Sequence, residues 1–143
     1  MITAKVTDSP ISVSNLMEIV KSQSAGACVT FSGDVRDHDK GRAVISLKYE
    51  IHPSAQKVIE EIVAKVASLH QVLSVAAVHR YGLIPIGDSA FVVAVSAAHR
   101  EAAFQCCMEI VEKVKLELPI WKYQEFADGS NEWVNSRSEE HTS

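Results

Sequence analysis

Pro119 constrains this chain more than any other residue. It follows a run over residues 100–118 in which Ala103, Phe104, Cys107, Ile110, Val111, Val114 and Leu118 recur at three- and four-residue steps, the pattern of an amphipathic helix. A proline has no N–H and its ring clashes with the preceding turn, so the helix ends there and extended backbone follows. Lys115 then falls in the last helical turn and Lys122 on the segment beyond it. The reversal between them lets two ammonium groups approach one another, and a pocket of that kind binds an anion.

On a wheel of about 100° per residue, Lys115 lies between Phe104 and Met108 at the flank of the apolar arc, and Glu101, Glu109, Glu112 and Lys113 project from the other side. Partial desolvation at such an edge favours the neutral, nucleophilic amine of a catalytic lysine. The same position also suits a lysine that lays its stem on the core and keeps its head in water.

A chain of 143 residues with 47% hydrophobic and 22% charged content reads as one globular domain over residues 1–135, with residues 136–143 as a flexible tail. Its net charge of -4 argues against a general nucleic-acid binder, whose footprint is basic. Apolar runs are too short to cross a membrane, and the first five residues lack the build of a signal peptide, so a cytoplasmic location is expected. Cys28, Cys106 and Cys107 have neither metal-ligand nor redox spacing. Cys107 on the apolar arc and Cys28 in an apolar run are expected to be small buried hydrophobes, with no metal site.

Strand and helix patterns alternate without repeats. Strands are predicted at residues 4–7, 26–35, 44–50, 73–81, 89–96, 121–126 and 132–134, and helices at 14–21, 53–70 and 100–118. Residues 37–42 and 82–87 read as loops, and the strands at 26–35 and 44–50 as a long hairpin across the first of these loops. The order predicts an α+β domain, helices packed on a largely antiparallel sheet.

Two His-Arg dipeptides differ in placement. His79-Arg80 lies within a strand, where successive side chains point to opposite faces, so the pair reads as strand surface. His99-Arg100 stands where a strand gives way to the long helix, and its side chains and the free N–H groups of the helix start can be aimed at one anion, although a polar first turn is also ordinary there. Arg36 closes the strand at 26–35, a position from which a guanidinium can grip a phosphate or carboxylate or simply be solvated.

Together these segments carry a resemblance. The run from Thr30 to His38, the segment Val78-His79-Arg80-Tyr81-Gly82 with Gly87-Asp88, the stretch Ser96-Ala97-Ala98-His99-Arg100, and Lys115 through Pro119-Ile120-Trp121-Lys122 resemble the large, catalytic subunits of molybdopterin synthases, in the same order and spacing. The similarity spans about residues 1–135. Departures fall at Ile51-His52-Pro53 and at Asp34, away from both lysines.

The resemblance implies an α/β hammerhead-like fold and an enzyme of molybdenum-cofactor biosynthesis, a sulfurtransferase that converts cyclic pyranopterin monophosphate to molybdopterin with no cofactor of its own. The implied sulfur donor is a small ubiquitin-like subunit whose C-terminal Gly-Gly thiocarboxylate enters a pocket, within a heterotetramer built on a homodimer of large subunits. By motif, Lys115 and Lys122 match functional lysines, and Arg36, His99 and Arg100 match contacts to substrate anions. Asp34, Val35, Tyr123 and Gln124 fall where backbone contacts to substrate are expected. The alternative is a noncatalytic module that only docks the tail of a ubiquitin-like protein.

Overall fold

The computed structural model describes residues 1–135. In chain order the elements are β1 (Ile2–Thr7), α1 (Val13–Val20), β2 (Ala27–Asp34), β3 (His38–Asp39), β4 (Arg42–Ile51), α2 (Ala55–Ser68), β5 (Ser74–Arg80), β6 (Gly82–Ile84), β7 (Ser89–Ala97), α3 (Arg100–Glu117), β8 (Ile120–Phe126) and β9 (Asn131–Asn135). The fold is α+β. The tail expected at residues 136–143 lies outside the described residues.

The strands form two sheets. The first has the order β1-β5-β7-β2, with β1 and β5 parallel and the other pairs antiparallel. The second runs β3-β4-β8-β9, with β6 also paired to β4, and is antiparallel throughout.

Both faces of the first sheet are covered, which explains why β5 and β7 read as unbroken apolar runs. On one face Leu16 and Val20 of α1 pack on Ala76, Val78, Val92 and Ala94. This helix starts at Ser12, whose hydroxyl accepts from the Asn15 N–H at 3.3 Å. On the other face α2 and α3 bury Ile59, Val63, Ala103, Cys107 and Ile110 against Val75, Val93 and Val95. At the end of α3, Leu118 donates to the Val114 carbonyl at 2.9 Å and turns to extended backbone ahead of Pro119, and β8 begins at Ile120.

Several expectations change. The strand at 26–35 does not form a hairpin with the one at 44–50: β2 pairs with β7, and β4 pairs with β8. The reason lies in β7, which is buried along nearly its whole length and requires a neighbour on each side, β5 and β2. The loops at 37–42 and 82–87 contain the short strands β3 and β6. The β3–β4 connection is a tight two-residue turn at Lys40 (φ 52°) and Gly41 (φ 79°), both left-handed as such hairpins require. His79 and Arg80 are both buried, because β5 is an interior strand covered on both faces. Cys28 is exposed on β2, an edge strand, while Cys106 and Cys107 are buried. Burial pushes the thiols of Cys106 and Cys107 up to about 11. Phe104 is 58% exposed rather than part of the core, as is Met108 at 59%.

Candidate functional site

The break at Pro119 places the C-terminal end of α3 beside β8, and a cavity of about 520 Å³ opens there between the two sheets. That volume suits a small molecule or a peptide terminus. Its floor is aromatic: Phe31, Tyr49, His79 and Phe91. Its wall is cationic, with Arg36, Lys40, Lys115 and Lys122. Asp34, Asp39 and Glu132 supply the acidic groups at the lining.

The two lysines that flank Pro119 thus share one cavity, as their spacing implies, and of the two readings of Lys115 the structure has the one with its head in water. Lys115 is exposed in the single chain. Lys122 is the half-buried one, aligned across β4 with Tyr49 and across β9 with Val134. Desolvation lowers its pKa, Arg36 and Lys115 act in the same direction, and Asp39 and Glu132 oppose them. The wheel position at the flank of Phe104 and Met108 misplaced the desolvation because both of those side chains are themselves exposed.

Asp39 was not among the residues the sequence singled out. The tight turn at Lys40-Gly41 holds it on β3, where its carboxylate accepts from the Gln124 amide at 2.9 Å and lies 3.8 Å from the Arg36 guanidinium. That amide, and secondarily the charges of Lys122, Lys40 and Arg36, keeps Asp39 below the usual carboxylate range. A lone aspartate in a polar loop carries no periodic signal, so only the fold reveals this role.

Gln124 therefore contributes its buried side chain to the site. Tyr123 faces away from the cavity lining and packs edge-on against Trp133 with centroids 4.8 Å apart. Val35 is buried at the lining, and its N–H donates to the Asp88 carbonyl at 2.9 Å. Asp34 accepts hydrogen bonds from the hydroxyls of Ser32 and Ser89, the latter at 2.9 Å.

His99 and Arg100 do not reach this cavity within one chain. They begin α3, whereas Lys115 lies near its end. At about 1.5 Å of rise per residue, the helix sets Arg100 and Lys115 roughly 22 Å apart. Among the described residues no cluster of three or more His, Cys, Asp or Glu side chains is placed to hold a metal ion, and no helix is long and apolar enough to cross a membrane.

Comparison with known proteins agrees with this architecture. A molybdopterin synthase catalytic subunit of Aspergillus clavatus is 41% identical over 134 residues, covering 93% of this chain and 68% of the relative. One of Bacillus subtilis is 35% identical over 136 residues, covering 94% and 86%. The crystal structure of molybdopterin synthase from Staphylococcus aureus superimposes with a TM-score of 0.83 at 31% identity, over 91% of this chain and 95% of that one. The profile of the MoaE protein family matches residues 6–117, and the chain belongs to that family.

Proposed function

We propose that this chain is the catalytic subunit of a molybdopterin synthase, a sulfurtransferase that converts cyclic pyranopterin monophosphate to molybdopterin. The observation that carries the reading is one cavity holding Arg36, Lys115 and Lys122 over an aromatic floor. The sulfur donor is the C-terminal Gly-Gly thiocarboxylate of a small ubiquitin-like subunit. Both reactants are anions, and a cationic wall in a sheltered cavity stabilises charge that develops during acyl transfer and sulfur attack. Asp39 offsets part of the desolvation at Lys122 and favours its ammonium form, suited to holding negative charge. Lys115 moves a proton or, once the thiocarboxylate sulfur has bonded to the substrate, attacks the resulting thioester carbonyl, so that the acyl C–S bond breaks and the sulfur stays on the pterin as a thiolate.

His99 and Arg100 act in the same reaction from a second copy of the chain. Arg100, Phe104, Met108, Val111 and Lys115 fall within about 80° on the helix wheel. Phe104 and Met108 on this stripe are more than half exposed, an apolar patch with a basic residue at each end. A two-fold pairing of such stripes, antiparallel about Met108, sets the second copy's Arg100 opposite Lys115. It also removes Lys115 from water, supplying the desolvation that the single chain lacks. The assembly is accordingly a homodimer that carries one small subunit on each large one.

The test is turnover. The purified chain, given thiocarboxylated small subunit and cyclic pyranopterin monophosphate, forms the dithiolene product, and Lys115→Ala abolishes it while the protein stays folded. Tail binding without product in the unaltered chain would reduce the protein to a docking module.

A further inference from the structure

We infer that His79 is a specificity-determining residue on the cavity floor, presenting a fixed hydrogen-bond acceptor to an N–H group of the bound ligand. The inference rests on the substrate reading above, in which two sources offer such a donor: the pterin ring and the amide of the incoming peptide tail. Alternation along β5 sends His79 to the cavity and Arg80 to the opposite side, where the Arg80 guanidinium donates to Asp88 at 3.0 Å.

Three contacts fix the imidazole. It stacks on Phe91 with centroids 5.2 Å apart and planes 18° from parallel, and it meets Tyr49 edge-on at 5.0 Å. Its Nδ1 lies 2.8 Å from the Arg80 carbonyl oxygen. A carbonyl only accepts, so the proton resides on Nδ1 and the lone pair on Nε2. Nε2 has no hydrogen-bond partner among the described residues, and it is not one of the side-chain atoms sealed from solvent without a partner, Arg80 Nε and Ser96 Oγ. It therefore opens onto the cavity that His79 lines.

Burial drives the imidazole pKa down to about 4, so His79 stays uncharged at neutral pH and does not compete with the lysines for an anion. The cavity is divided: charge on the wall, and on an aromatic floor the neutral acceptor of His79, with the Tyr49 hydroxyl on the same floor. Its ligand is anionic at one end and offers an N–H donor at the other. A buried acceptor of this kind rejects analogues that lack the donor, because its lone pair would be left unmet.

Calorimetry on the unaltered chain and its variants tests this with two probes, a pterin bearing a carboxylate and a peptide ending in Gly-Gly. His79→Phe keeps the ring packing and deletes the acceptor, and His79→Gln restores an acceptor near the Nε2 position. The Phe variant should lose about tenfold in affinity for one probe and leave the other within about twofold, with the Gln variant recovering most of the loss. Loss on the pterin assigns the donor to the heterocycle, and loss on the peptide assigns it to the tail amide. Wild-type affinity for both probes in a folded Phe variant would overturn the inference. Should that variant fail to fold, nitrogen NMR of the unaltered protein decides: the Nε2 resonance moves when one probe saturates the cavity, and a resonance that stays put under both contradicts the assignment. An unaltered chain that binds neither probe would overturn the substrate reading itself, and the His79 assignment with it.

Discussion

The two sheets divide the work of the molecule. In the first, β5 and β7 are buried almost end to end and packed by helices on both faces, and the fold's stability concentrates there. In the second, β4 and β8 alternate buried and exposed positions, and along them a half-buried lysine, a buried glutamine and a nearby aspartate share one corner. Packing is the rule in one sheet and charge in the other. The difference teaches that the site sits where the fold can hold a network of charged and polar side chains, at the margin of the apolar core.

The comparison breaks most readily in the first sheet. Val93 is fully buried on β7 beneath α2 and α3, so Val93→Asp places an unpaired carboxylate in the core. Loss of about 4 kcal/mol or more, enough to unfold a marginal domain, is the expected result in urea denaturation. In the second sheet the opposite holds. Lys122→Met removes a cation that burial destabilises, so the midpoint of thermal unfolding should hold or rise by the equivalent of about 1 kcal/mol. Turnover should meanwhile fall about a hundredfold or more.

His79 belongs to both regions, and its titration sharpens the boundary between them. Its folded pKa of about 4 lies below the ordinary 6.5, so the unfolded chain binds the proton first as pH falls. The stability tied to neutral His79 is therefore complete above pH 6.5 and drains away toward pH 4, by up to about 3 kcal/mol. Unfolding of His79→Phe across that window should show a correspondingly flatter acid limb. The smallest effect is expected at Leu83 on β6, which is 67% exposed: Leu83→Thr should change stability by less than about 0.5 kcal/mol.

Much of this was legible in the sequence, for identifiable reasons. Pro119 ended α3, and the period of three and four along residues 100–118 traced its buried side through Ala103, Cys107, Ile110 and Val114. The lysines on either side of that break share a cavity as their spacing implied. Strand partners were not legible, because the apolar run of β7 states that it is interior and not which strands flank it. Phe104 and Met108 misled for a related reason: hydrophobicity predicts burial, and on this helix they form an exposed stripe. The role of Asp39 follows from a turn and a cross-sheet contact with Gln124 that no local pattern encodes.

The central claim is that the cationic cavity at the end of α3 becomes an active site when a second copy delivers His99 and Arg100. Mixing two inactive proteins tests it directly, one carrying Lys115→Ala and Lys122→Ala, the other His99→Ala and Arg100→Ala. Dissociated and reassembled in equal amounts, half of the dimers are mixed and each mixed dimer holds one intact site, so sulfur transfer should return to about a quarter of the unaltered level. Absence of any recovery, with mixed dimers demonstrably formed, would contradict the shared site.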